Sequence, residues 1–295
     1  MKIAIASGKG GTGKTTVATN LAAVASRNGR SVAYLDCDVE EPNGHIFLKP
    51  HLTDSRPFGS LVPRVDEEKC TRCGKCGEIC QFSAIVCLGQ KVLVYPELCH
   101  ACGGCMLVCP AEAIAEVPRP TGKLESGSAG AISFVHGVLN VGEAMSPPLI
   151  RAVKAAAPQK DLVIIDAPPG TSCPVIESIK DSDFVLLVTE PTPFGLNDLK
   201  LAVETVRKLD LPSAVVINRA DRGDTKTRRY CGENHIQILA EIPDDRRIAE
   251  AYSTGLLAVE AIAEYWRIFE RLLAELDRAC SRAQKPTVTE TDRAG

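Results

Sequence analysis

Residues 8–15 read Gly-Lys-Gly-Gly-Thr-Gly-Lys-Thr, and no other stretch restricts the fold of the chain as sharply. The run fits the pattern G-x-x-x-x-G-K followed by Ser or Thr. It lies between a short apolar β run at 2–6 and a helical pattern at 15–28, where Val17, Leu21 and Val24 share a face. Glycines let successive N–H groups turn inward as an anion-binding nest, and the helix start adds its positive dipole end. Gly8, Gly10, Gly11, Thr12, Gly13 and Thr16 therefore join Lys14 and Thr15 as candidate nucleotide contacts. Lys14 is placed to reach the β- and γ-phosphates of ATP, and the Thr15 hydroxyl to ligate Mg²⁺.

The remaining pattern predicts an α/β P-loop fold. Gly29 is placed to end the first helix, and a second strand at 31–35 runs into Asp36-Cys37-Asp38. Later segments predict helices at 149–157 and 197–208, strands at 162–165, 184–188 and 214–217, and one long closing helix at 256–279. Strands apolar throughout, alternating with helices, imply a mostly parallel sheet covered by helices on both faces. The stripe Ile262, Trp266, Phe269, Leu273 and Leu276 suits a helix docked on a core. Its opposite face mixes Glu and Arg, unlike the basic face of a membrane-surface helix.

A net charge of −3 gives no global field for nucleic acid, and the basic run at 219–229 reads as a solvated loop. The N-terminal residues lack a secretory pattern, and no apolar run approaches the ~20 residues of a membrane span. The expectation is a cytoplasmic protein with no nucleic-acid partner and no stable membrane insertion.

Eight of the nine cysteines from Cys70 to Cys109, all but Cys87, follow a fixed spacing. They form two runs with the spacing C-x₂-C-x₂-C-x₃-C, Cys70/Cys73/Cys76/Cys80 and Cys99/Cys102/Cys105/Cys109. Such a twofold repeat is how a ferredoxin with two 4Fe–4S clusters is written, the fourth cysteine of each run crossing to the other cluster. One cluster is then assigned Cys70, Cys73, Cys76 and Cys109, the other Cys99, Cys102, Cys105 and Cys80. Zinc is the rival occupant of four thiolates, but its sites usually show separated C-x₂-C pairs rather than triplets. Pro110 follows Cys109 as in ferredoxins, whereas Gln81 follows Cys80. The expected organisation is an ATPase domain at 1–60 and 120–282, an inserted small α+β ferredoxin-like domain at 61–119, and a polar tail at 283–295. Pro118, Pro120 and the glycines from Gly122 to Gly130 read as an exit linker.

The second lysine of the loop, Lys9, resembles the deviant Walker A motif of the family that includes MinD, ParA, Mrp and the nitrogenase iron protein. The resemblance implies that Lys9 contacts nucleotide across a homodimer interface. It also implies that Asp38, with Asp36 as the alternative, positions the attacking water. Asp166 resembles the Walker B residue that holds Mg²⁺ through water, Gly170 the switch II γ-phosphate sensor, and Asn218 the reader of the adenine amino group. The chain as a whole resembles MinD-like ATPases with an inserted ferredoxin domain. Three functions follow as expectations: nucleotide-gated electron transfer to an unidentified redox or client partner, positioning as in MinD and ParA, or cluster carriage as in Mrp. Cys173 has the offset from Asp166 of a bridging-cluster ligand in the nitrogenase iron protein, but the stretch 135–145 lacks the second cysteine such a bridge needs.

Overall fold

Strands that read as apolar throughout are buried on both faces. A computed structural model describes residues 1–283, so the expected polar tail lies, from residue 284 on, outside the described residues. The chain runs β1 (Lys2–Ala6), α1 (Lys14–Arg27), β2 (Val32–Asp36), α2 (Gly44–Leu48), β3 (His51–Val65), α3 (Lys75–Ile79), β4 (Ile85–Leu88), β5 (Lys91–Val94) and α4 (Gly104–Leu107). It continues β6 (Ile114–Ala129), β7 (Ile132–Leu139), α5 (Pro147–Ala155), β8 (Leu162–Asp166), α6 (Cys173–Ile179), β9 (Phe184–Thr189) and α7 (Pro193–Lys208). The last elements are β10 (Ser213–Asn218), α8 (Lys226–Glu233), β11 (Ile238–Ile242), α9 (Arg246–Ser253), α10 (Ala258–Ala261) and α11 (Ala263–Ala283).

Nine strands form one sheet in the order β11-β10-β9-β1-β8-β2-β7-β6-β3. Neighbours from β11 to β7 are parallel, while β6 and β3 are antiparallel. Alternation of side chains divides the core: Ile3 and Ile5 pack with residues of α1 and α11, Ala4 and Ala6 with residues of α5, α6 and α7. The expected stripe docks on the first of these cores. Ile262, Phe269, Leu273 and Leu276 are buried, and Trp266 is partly buried beneath the Arg27 guanidinium, 5.8 Å from its ring.

Two expectations are corrected. The closing helix is not continuous, because Ile262 is extended (φ −136, ψ 108) between α10 and α11. That turn of backbone sends its side chain into the core. The stretch 118–129 is strand rather than linker. Pro118 and Pro120 pair with Leu61 and Gly59 of β3 but lie before Gly122, where pairing with β7 begins. One edge of β6 is free there, so the missing proline N–H breaks no ladder.

β3 and β6 extend past the sheet as a two-stranded ribbon, and the cysteine segment lies at its end. The segment carries α3, the hairpin β4–β5 and α4 around a small core of Cys76, Ile85 and Ile114. Its backbone repeats with its sequence. Left-handed residues recur as Arg72 and Ala101, Gly74 and Gly103, Ser83 and Glu112. Each pair is separated by 29 residues (101 − 72, 103 − 74, 112 − 83), the offset from Cys70 to Cys99.

Candidate functional site

Adjacency of β1, β8 and β2 brings three parts of the sequence together at their carboxyl ends, where ligands bind in open α/β sheets. The glycine loop leaves β1, Asp166 ends β8, and Asp36 ends β2 in register with Asp166. Gly11 (φ 78) and Gly13 (φ 88) adopt left-handed conformations that turn the loop. Gly13 caps α1 without a side-chain hydrogen bond, and the first turn holds no acidic residue. The orphan N–H groups of that turn are thus left for an anion, and the buried Thr12 Oγ1 lacks a partner.

Lys14 is 6% exposed and donates to Asp166 Oδ1 at 2.6 Å, with Asp38 Oδ2 at 3.9 Å. Burial opposes its charge, but Asp166, Asp38 and Asp36 outweigh burial and raise its pKa. Tyr34 also donates to Asp166, its hydroxyl 2.8 Å from Oδ2. Asp36 is wholly buried, and its carboxylate accepts from Gly44 N and Asp38 N at 2.8 and 3.2 Å. Burial and then the neighbouring Asp166 push its pKa up to about 8. Asp38 is more open and its pKa is raised to about 6, chiefly by burial, with Lys14 pulling it back. Asp38 rather than Asp36 therefore faces the cavity.

That cavity, about 400 Å³, is lined by the loop, Asp38 and Asn218. Lys9 and Gly10 stand at its edge, with the Lys9 carbonyl held by Ser7 Oγ at 2.8 Å. Asn218 Nδ2 donates to Thr12 O at 2.8 Å, and a Cβ on Gly13 would lie 2.4 Å from that nitrogen. Gly170 (φ 101) donates from its N–H to Ser7 O at 2.9 Å, so the segment that follows β8 is tied to the end of β1. The sequence reading missed the far wall, where Asp244, Asp245 and Tyr252 line the cavity beyond β11. The signal available was the Pro-Asp-Asp run 243–245 directly after Ile-Leu-Ala-Glu-Ile, a strand as long as β1.

The row of polar residues does not stop at Asp36. In register across the sheet, Asp166 faces Asp36, Asp36 faces His136, His136 faces Glu125 and Glu125 faces Ser55. Glu125 bonds His136 Nε2 at 3.0 Å and Ser55 Oγ at 2.8 Å. Neither His136 nor Glu125 was foreseen, because cross-strand pairing decides their contact.

Among the cysteines, Cys80, Cys99, Cys102 and Cys105 line one cavity of about 60 Å³. Burial disfavours the Cys80 thiolate, yet the N–H groups of Ile85, Phe82, Ala84 and Ser83 together hold its pKa below the ordinary value. Ala101 N points at Cys99 Sγ (3.4 Å) and Ala113 N at Cys109 Sγ (3.3 Å). Amides aimed at sulfur favour thiolates, and so fit a thiolate-bound metal. Phe82 and His100 stack at 3.4 Å beside the same cavity. In the other quartet, Cys76 is buried and Cys109 packs against the same small core, whereas Cys73 is exposed. Cys76 Sγ lies 3.6 Å from Cys87 Sγ, and burial with that neighbour pushes its pKa up to about 12. Among the described residues, no three Cys, His, Asp or Glu side chains converge closely enough to hold a metal ion. Cys173 is exposed at the start of α6, and Cys37, Cys231 and Cys280 are buried. No helix among the described residues is long and apolar enough to cross a membrane.

Comparison with known proteins agrees with this geometry. The chain is 38% identical over 223 residues to the uncharacterized protein MJ0578 of Methanocaldococcus jannaschii, covering 74% of this chain and 78% of that one. It is 26% identical over 303 residues to the iron-sulfur cluster carrier protein of Pyrococcus furiosus, covering 93% and 86%. The septum site-determining protein MinD of Pyrococcus horikoshii, solved with Mg-ADP, superposes with a TM-score of 0.58 at 20% identity, covering 96% and 98%. The model of the CobQ/CobB/MinD/ParA nucleotide binding domain matches residues 3–259. With a glycine loop, a buried lysine and two strand-end aspartates converging at one sheet edge across that span, the chain belongs to the CobQ/CobB/MinD/ParA nucleotide-binding family.

Proposed function

We propose that the chain is a Mg²⁺-dependent ATPase that couples nucleotide-driven rearrangement of a homodimer to electron transfer through two 4Fe–4S clusters. One observation carries the proposal. A segment whose cysteines and left-handed residues repeat with one offset is joined by continuous β-strands to the sheet that presents the glycine loop.

In this reading Lys14 leaves Asp166 to grip the β- and γ-phosphates of ATP. Thr15 and Asp166 would hold Mg²⁺, which would supply charge to neutralise the phosphates. Asp38 orients the attacking water, and Lys9 reaches the nucleotide of a partner copy. Gly170 senses the γ-phosphate and Asn218 contacts the base. Cys99, Cys102, Cys105 and Cys80 would hold one cluster, and Cys70, Cys73, Cys76 and Cys109 the other, in a ferredoxin-like insertion at 61–119. Such clusters supply one-electron transfer at low potential. Coupling between two sites is typically ~1–3 kcal/mol, which for a one-electron centre is roughly 40–130 mV.

The similarity to proteins named as iron-sulfur cluster carriers favours a second reading, in which a cluster is cargo. Oxygen-free purification with iron and sulfide analysis, then redox titration with and without Mg-nucleotide, separates the two. The first reading expects about eight iron atoms per chain and a nucleotide-dependent potential. Identical potentials together with transfer of an intact cluster to apo-ferredoxin would establish carriage instead. Colourless, iron-poor protein that is still folded would overturn both.

A further inference from the structure

The loop between β7 and α5 bonds both to the segment that follows Asp38 and to the ribbon that carries the cysteine segment. On the nucleotide side, Leu139 N donates to Val39 O at 2.8 Å and Ser146 Oγ to Glu40 Oε1 at 3.0 Å. Val39 and Glu40 directly follow Asp38, and Ser146 is 1% exposed. On the ribbon side, Asn140 N donates to Thr121 O at 2.9 Å. Arg119 grips Glu143 with both guanidinium arms, Nη1 to Oε2 at 2.8 Å and Nη2 to Oε1 at 2.7 Å.

This last pair is of the strong, geometry-imposing kind. It is also sheltered, with side-chain exposures of 22% for Arg119 and 11% for Glu143. Arg119 lies on β6 opposite Ser60 of β3, ten residues after Cys109 (119 − 109). Glu143 does most to favour its charge, and Glu97 and Cys99 add to that. The loop closes a second cavity of about 440 Å³ whose other walls include Asp38 and Pro169. Segments on the nucleotide side therefore share walls and hydrogen bonds with the loop, and the loop is pinned to the ribbon.

We propose that segment 139–146 transmits the nucleotide state to the cysteine segment, with Glu143 and Arg119 as the positioning residues at its far end. The inference rests on the reading above only in needing nucleotide to bind. The ribbon should answer nucleotide whether or not clusters are loaded. An interaction that passes through packed, hydrogen-bonded elements with two arrangements is a physical basis for such coupling.

Hydrogen exchange tests it, using the full chain with and without Mg²⁺ and β,γ-imido-ATP. In the unaltered protein, nucleotide should change protection by about fivefold or more at 60–65 and 114–121 as well as at 8–15. In Glu143→Gln the change at 8–15 should persist while the ribbon response is lost. Glu143→Asp, which keeps the charge, should restore at least part of it. A ribbon response in Glu143→Gln equal to that of the unaltered protein would overturn the proposal, as would no ribbon response in the unaltered protein. Iron analysis of the same samples judges the clusters separately. Iron-poor protein with a normal ribbon response would remove the redox reading and leave the coupling standing.

Discussion

The glycine loop and the cysteine segment, ligand cradles alike in the proposed function, are built on opposite terms. The loop sits above two large cores, and its lysine is neutralised internally by Asp166, Asp38 and Asp36. The cysteine segment has a core of three buried residues and keeps much apolar surface exposed, including Leu88, Leu107 and Phe82. A site on a deep core holds its shape whether or not its ligand is bound. In the proposed function, a segment that buries so little would depend on what its thiolates hold, as small metal domains do.

Lys14→Ala is the sharpest way to break that comparison. Loss of one preorganised charge at the transferring phosphate should lower ATP hydrolysis about 10²–10³-fold. Iron content should not change. Loss of iron together with activity, in an assay of phosphate release alongside metal analysis, would mean that the two cradles are not independent.

A smaller effect should come from Cys99→Ser combined with Cys105→Ser. Iron should fall to about half, because one of two clusters is lost, while nucleotide affinity measured by calorimetry stays near that of the unaltered protein. Unchanged iron would refute the assignment of these residues.

The smallest expected effect is on pH dependence. Asp36 and Asp38 have pKa values raised to about 8 and about 6, above those of the unfolded chain. The folded state therefore holds protons that the unfolded state releases. Their contribution is complete below about pH 4 and is lost as pH rises through 6 and 8. Urea unfolding of nucleotide-free protein at pH 5 and pH 8 should reveal this loss, and Asp36→Asn should shrink it. An equal loss in the variant would show that the buried carboxylates are not its source.

Much of the fold was legible because its signals are local. β1 was read with its observed bounds, and α1, β2, β8, β9 and β10 came within a residue or two, because a fully buried strand or an amphipathic helix writes its period into neighbouring positions. β6 was missed because prolines and glycines that punctuate most chains here mark a free ribbon edge and close backbone approach. A Cβ on Gly122, for instance, would lie 2.4 Å from Val138 O. The break at Ile262 carries no proline or glycine and follows from burial alone. In the candidate site, Lys14 was readable from the loop motif, and Asp166 and the pair Asp36 and Asp38 from the family resemblance. Tyr34, His136 and Glu125 were not, since each gains its partner from a neighbouring strand.

By itself the sequence determined the nucleotide cradle and the twofold cysteine repeat, because both depend on residue types at short, fixed offsets along one stretch of backbone. Only the tertiary structure decided which aspartate opens to the cavity, how His136 meets Glu125, and how Arg119 comes to hold Glu143. Those contacts depend on strand order and register, and pairing between distant segments leaves no periodic trace in the chain.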